Sequence, residues 1–238
     1  MDGLVEKFNV FDFFNLIIGG FLFLIGLGIS LCFNLEKSFI NKLADIFMEY
    51  TLLIIGVMFV FSFVLGLIMS EIEYLIFYKM LGWEKKLMSE CLKDFRVVEN
   101  IKKYEIYRKK ALQYFKQEEC KIKSDEFTED ECAAFYAHCV YYIQIRSQNQ
   151  KPERLREVAG LAGILVMVFA MLILSEIIIN IKLNTVSVTS VTLFLIYVIC
   201  FVLLLHRYKR AMKNRIKMVL AVYDVCVEKE ACGGNAVY

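Results

Sequence analysis

Glu176 is the one carboxylate that stands well inside a long apolar run, and Asn180 follows it one helical turn later. Ionisable side chains at membrane depth are costly, and they mark ion pathways or paired helices. In a symmetric oligomer, Glu176 and Asn180 would form a polar ring around a pore. Glu176 also lies close enough to the end of its run to reach the interface or to pair two helices. Ser62, Gly66 and Ser70 recur at intervals of four on one helical face. Such a stripe allows close helix approach, or it lines water with Ser62 and Ser70 as pore residues. Asn15, near the start of the first run, suits an interhelical hydrogen bond.

A second chemical cluster lies near the carboxyl end. Arg207, Lys209, Arg210, Lys213, Arg215 and Lys217 follow His206 and include Tyr208. Basic side chains with an aromatic among them suit an anionic oligomer such as single-stranded nucleic acid. The same residues also suit lipid headgroups at the end of a span. Aromatic residues crowd the middle of the chain: Tyr104, Tyr107, Tyr114, Phe115, Phe135, Tyr136, Tyr141 and Tyr142. They exceed what one helical hairpin needs for its own core. An oligomeric bundle and a nucleotide-stacking site both fit that surplus.

Catalytic and metal signatures are missing from the sequence. Cys132 and Cys139 share a helix face beside His138, but their spacing matches no common zinc pattern. Buried apolar cysteine is the simpler reading. No Ser/His/Asp grouping, phosphate-cradling glycine loop or HExxH is present. The expectation is a protein that is not an enzyme and carries no metal or cofactor.

Four elements must position these residues. The apolar runs Phe13–Phe33, Thr51–Ser70, Val158–Asn180 and Val186–Leu205 each have the ~20 residues that a helix needs to cross hydrocarbon. The chain is 58% hydrophobic yet 23% charged, which fits a membrane protein with a substantial aqueous part. The expected fold is an all-α integral membrane protein. Four transmembrane helices form two hairpins, with a helical cytoplasmic domain between the second and third. The expected divisions are 1–70 (an interfacial segment and the first hairpin), 71–157 (cytoplasmic helices), 158–205 (second hairpin) and 206–238 (basic tail).

Local signals refine that scheme. The second span runs on past Ser70 without a breaker until Gly82. Trp83, the only tryptophan, sits at interfacial depth or within the cytoplasmic helices. Apolar residues at steps of three and four predict one helix over 84–123. Thr128 and Glu131 form a capping box for the next helix, which ends near Arg146. Pro152, the only proline, suits the first turn of the third long helix. The stretch 219–227 reads as helix or strand. An amphipathic helix is expected in 34–50, and Gly233-Gly234 is expected to end the ordered chain.

Charge orients the spans. Seventeen Lys/Arg fall in 71–157 and seven in 206–238, against Lys37, Lys42 and Lys182 in the two other connections. The positive-inside rule places the middle block and both termini in the cytoplasm. Asp2 and Glu6 outnumber Lys7, and no small-residue cleavage site follows, so the first run is expected to be retained. Of eight cysteines, Cys91, Cys120, Cys132, Cys139, Cys226 and Cys232 fall on that reducing side, so no disulfide is expected.

The opening stretch from Phe8 to Leu24, Phe-Asn-Val-Phe-Asp-Phe-Phe-Asn-Leu-Ile-Ile-Gly-Gly-Phe-Leu-Phe-Leu, resembles the start of small bacterial membrane proteins of anti-phage defence. There an apolar-Asp-apolar entry precedes a Pro-Gly or Gly-Gly step; here the step is Gly19-Gly20. Together with the layout of the chain, this resembles the membrane component of Hailong-type systems. The resemblance implies a homo-oligomeric ion channel, for instance a tetramer, in the bacterial inner membrane. It also implies a partner nucleotidyltransferase whose single-stranded DNA or nucleotide product holds the channel shut. No residue motif carries over a ligand site. The resulting expectation is a gated channel that depolarises the host membrane. Its rivals are a non-conducting membrane scaffold or sensor subunit and, less well matched to the sequence, a small transporter.

Overall fold

The computed structural model describes residues 10–34, 48–93, 109–115, 128–148, 150–183 and 187–232, and these are helical with no strand. The helices are α1 (Val10–Asn34), α2 (Thr51–Glu73), α3 (Trp83–Lys93), α4 (Glu129–Ile145), α5 (Gln150–Leu183) and α6 (Val188–Cys232). A π-helical stretch, Tyr74–Met80, continues α2. It stops before Gly82, whose φ of +56° is a conformation that glycine adopts without a Cβ clash. Among the described residues, four helices are long and apolar enough to cross a membrane: Val10–Phe33, Thr51–Met80, Gln150–Lys182 and Val188–Glu228. Residues 35–47 of the expected helix in 34–50, the parts of the expected long helix at 94–108 and 116–123, and the end at Gly233-Gly234 lie outside the described residues.

The chain divides into two compact units, one from 1–76 and 157–208, the other from 77–156 and 209–238. In the first unit, α1 touches each of the other long helices through its small residues. A methyl group at Gly20 would collide with the backbone carbonyl of Ser62, and one at Gly66 would collide with that of Leu16. The α1 and α2 backbones therefore meet directly, as small residues permit in membranes. Phe13 lies against Phe63, with ring centroids 5.2 Å apart. On other faces of α1, Gly19 meets Ile164 and Gly26 meets Leu172, both of α5. From α6, the Tyr197 hydroxyl donates to the Gly26 carbonyl at 3.1 Å. That uses its single proton, so Ser30 Oγ, 3.2 Å away, is the donor to Tyr197.

Apolar side chains cover the outside of these helices. Leu52, Val188 and Leu203 are exposed by 88%, 85% and 64%. Surfaces of that kind fit hydrocarbon or another subunit, and would be an aggregation hazard in water.

The second unit is built around α3, α4, the helical stretch 109–115 and the distal part of α6. Thr128 and Glu131 form the capping box: Glu131 N–H donates to Thr128 Oγ1 at 3.2 Å, and Thr128 N–H donates to Glu131 Oε2 at 2.7 Å. At the other end of α4, Ser147 takes φ 55°. Gln148 N–H reaches the Ile143 carbonyl and Ser147 N–H the Gln144 carbonyl, a Schellman stop. Phe135, Cys139 and Ile143 of α4 are buried together with Ile216, Val219 and Leu220 of α6. The buried positions of α6 recur at helical spacing, so 219–227 is helix.

Candidate functional site

Glu176 is 0% exposed in α5. The fold supplies its partner from the first turn of α6. Ser187 caps that helix: its Oγ accepts from the Ser190 N–H at 3.1 Å and its carbonyl from the Val191 N–H. The cap fixes Ser190, whose hydroxyl then lies against Glu176 Oε1 in a hydrogen bond. Asn180, one turn beyond Glu176, donates to the Glu176 carbonyl at 2.8 Å and to Ser190 Oγ at 2.7 Å. Glu176, Asn180 and Ser190 thus form one polar cluster joining α5 to α6.

The cluster is unbalanced. Glu176 Oε2 is buried with no hydrogen-bond partner among the described residues. No described Lys, Arg or His forms an ion pair with Glu176. Removing a carboxylate from water carries an effective penalty of several kcal/mol, roughly 3–5 when a buried partner is missing. The positive end of α6 offsets about 1 kcal/mol of that, up to ~2 in the best geometry. Ser187 takes the amides of Ser190 and Val191, and no described amide reaches Glu176 Oε2, so the dipole does not close the gap.

Several other polar residues of the spans have partners. Ser62 is buried and donates to the Met58 carbonyl at 2.7 Å, within its own helix. Its backbone, together with Gly66, forms the contact with α1, while Ser70 is half-buried. Asn15 Nδ2 lies 3.5 Å from the Glu157 carbonyl of α5. Glu73 was not singled out by sequence, yet its carboxylate covers Gly163 of α5, where a Cβ would collide with it. A small residue facing a carboxylate is a tertiary pairing, invisible in either helix alone. Ser190 and Tyr197 escaped notice for the same reason: single hydroxyls in an apolar run carry no spacing signal.

The basic tail is partly occupied within the second unit. Lys213 pairs with Glu90 at 2.8 Å and Arg215 with Glu84 at 3.7 Å, both acids belonging to α3. Burial raises the Glu84 carboxyl above the usual carboxylate range, and the Arg215 charge only partly offsets this. The Lys209 ammonium lies 4.3 Å above the Trp83 ring, a cation–π contact, and Trp83 itself stacks on Phe77 at 5.0 Å. Arg207, Arg210 and Lys217 are exposed, as is Lys209.

The crowded aromatics also meet the tail. Tyr223 of α6 lies edge-on to Phe135 at 5.9 Å and to Tyr142 at 5.1 Å, with His138 at 6.0 Å. Tyr114 sits 4.2 Å from His138. Lys110 bonds Asp224 beside this group. Cys132 and Cys139 are buried thiols outside any disulfide, and burial pushes the Cys139 thiol far up. Among the described residues, no group of His, Cys, Asp and Glu has the geometry of a metal site.

Comparison of the chain with protein families, curated proteins and solved structures finds no match.

Proposed function

We propose that this chain is a homo-oligomeric membrane channel whose helical cytoplasmic unit controls its spans. The reading has the four spans as two hairpins in a bacterial inner membrane, with 71–157 and both ends of the chain inside. The charge distribution supports that orientation. The observation that carries the reading is α6. It is helical without a break from Val188 to Cys232, and its 45 residues measure about 68 Å. Hydrocarbon is ~30 Å thick, so α6 is long enough to cross it and to continue as the basic tail. An anionic signal at Arg207, Arg210 and Lys217 would compete for the tail and act on a span through the same helix.

The biological setting rests on the resemblance of the opening segment and the chain layout. In that setting the channel is a toxic effector of anti-phage defence. A partner nucleotidyltransferase supplies the anionic oligomer, and opening depolarises the host. Planar-bilayer recording of the purified protein tests conduction. Conductance that rises when Lys213 and Arg215 are both changed to Glu is the expected result. Silence in that variant, in the tail-deleted chain and with every ligand added rejects the proposal.

One observation favours a second reading, a non-conducting scaffold or sensor subunit. Ser62, Glu176 and Ser190 are buried within a single chain, so their polar groups do not need an oligomer axis to leave the lipid. That reading expects a monomeric or dimeric particle without conductance.

A further inference from the structure

The donors and acceptors around Glu176 do not balance, and the imbalance has a sign. Ser190 has one hydroxyl proton, and the Glu176 carboxylate is a stronger acceptor for it than the amide oxygen of Asn180, 2.9 Å away. The two Asn180 amide protons go to the Glu176 carbonyl and to Ser190 Oγ. Every donor of these three side chains is then used. Two acceptor oxygens of these side chains remain, Glu176 Oε2 and Asn180 Oδ1, with no donor left among the three residues to fill them. Glu176 is 0% exposed, so water does not reach the free oxygen from outside. Asn180 is half-buried.

We propose that Glu176, Ser190 and Asn180 bind a small monovalent cation, Na+, between α5 and α6. The ligands are Glu176 Oε2, Asn180 Oδ1 and a lone pair of Ser190 Oγ. All are hard oxygens from two adjoining helix ends. One carboxylate matches one positive charge, whereas calcium sites gather more carboxylates. The bound ion neutralises Glu176 and ties the start of α6 to α5. The site lies within one chain and stands whether or not the spans conduct.

Radioactive 22Na+ binding to the full-length protein in lipid nanodiscs tests this. Saturable binding that NaCl displaces and choline chloride does not is expected. Glu176→Gln and Ser190→Ala should each weaken it by about tenfold or more while gel-filtration and circular dichroism profiles stay the same. Should Glu176→Gln fail to fold, Asn180→Ala provides the same comparison. No saturable binding, or binding unchanged in these variants, overturns the site. Displacement by micromolar CaCl2 overturns the monovalent assignment. Dicyclohexylcarbodiimide labelling of Glu176 that NaCl does not slow also overturns it, because a proton then holds the cation's place.

Discussion

Tyr136 shows how one buried atom sets a measurable property. Its ring fills the core of the second unit, and its hydroxyl has no partner among the described residues. Burial pushes its ionisation up to about 12, with Arg215 pulling the other way. An unfolded tyrosine ionises near 10. Below pH ~10 neither state ionises and the tyrosine's full contribution is present. Between ~10 and the folded value, only the unfolded chain gives up its proton, so stability falls as pH rises. Tyr136→Phe should flatten that alkaline loss, and at neutral pH it should gain up to about 1 kcal/mol by removing the unpaired hydroxyl. Denaturant titration in micelles at neutral and alkaline pH measures both effects. A loss of ~1 kcal/mol or more at neutral pH would mean that the hydroxyl has a partner. Glu176 poses the same packing problem in an apolar span, with one buried oxygen left without a partner among the described residues.

Helix contacts divide the glycines into two kinds. Gly20 and Gly66 have backbone carbonyls where a Cβ would go, and backbone cannot rotate away. Gly28 and Gly56 have nothing within 4 Å. Gly20→Ala and Gly66→Ala should therefore each destabilise the α1–α2 pair by ~1–3 kcal/mol. Gly28→Ala and Gly56→Ala should be neutral, or stabilising by up to ~1 kcal/mol through helix propensity. Thermal unfolding of the four variants in one detergent gives the comparison, and equal losses in all four would refute it. The sequence marked Gly66 through its stripe with Ser62 and Ser70. Which small residue meets a backbone, and which meets only open space, depends on the neighbouring helix.

At the scale of the whole molecule, the proposed orientation rests on the distribution of charge. A green fluorescent protein fused after Tyr238 should fluoresce in a bacterial host, while alkaline phosphatase fused after Lys182 should be active. The reverse pattern would invert the proposed topology and place the second unit outside, away from any internal signal. What the sequence determined by itself was local. Hydrophobic runs of membrane length, the Thr128–Glu131 cap, the run-on of α2 to Gly82 and the end of α4 near Arg146 all depend on residues within a turn or two. Backbone hydrogen bonding in lipid must be satisfied within the segment, so composition alone dictates helix there. The tertiary structure decided the pairings. Ser190 meets Glu176 from 14 residues away, and Lys110 meets Asp224 from 114 away. Tyr223 draws the aromatic surplus onto the tail, and Glu84 and Glu90 occupy two cations of the basic stretch. A long-range pair leaves no periodic trace in either segment, because each partner is chosen by the packed geometry of the other helix.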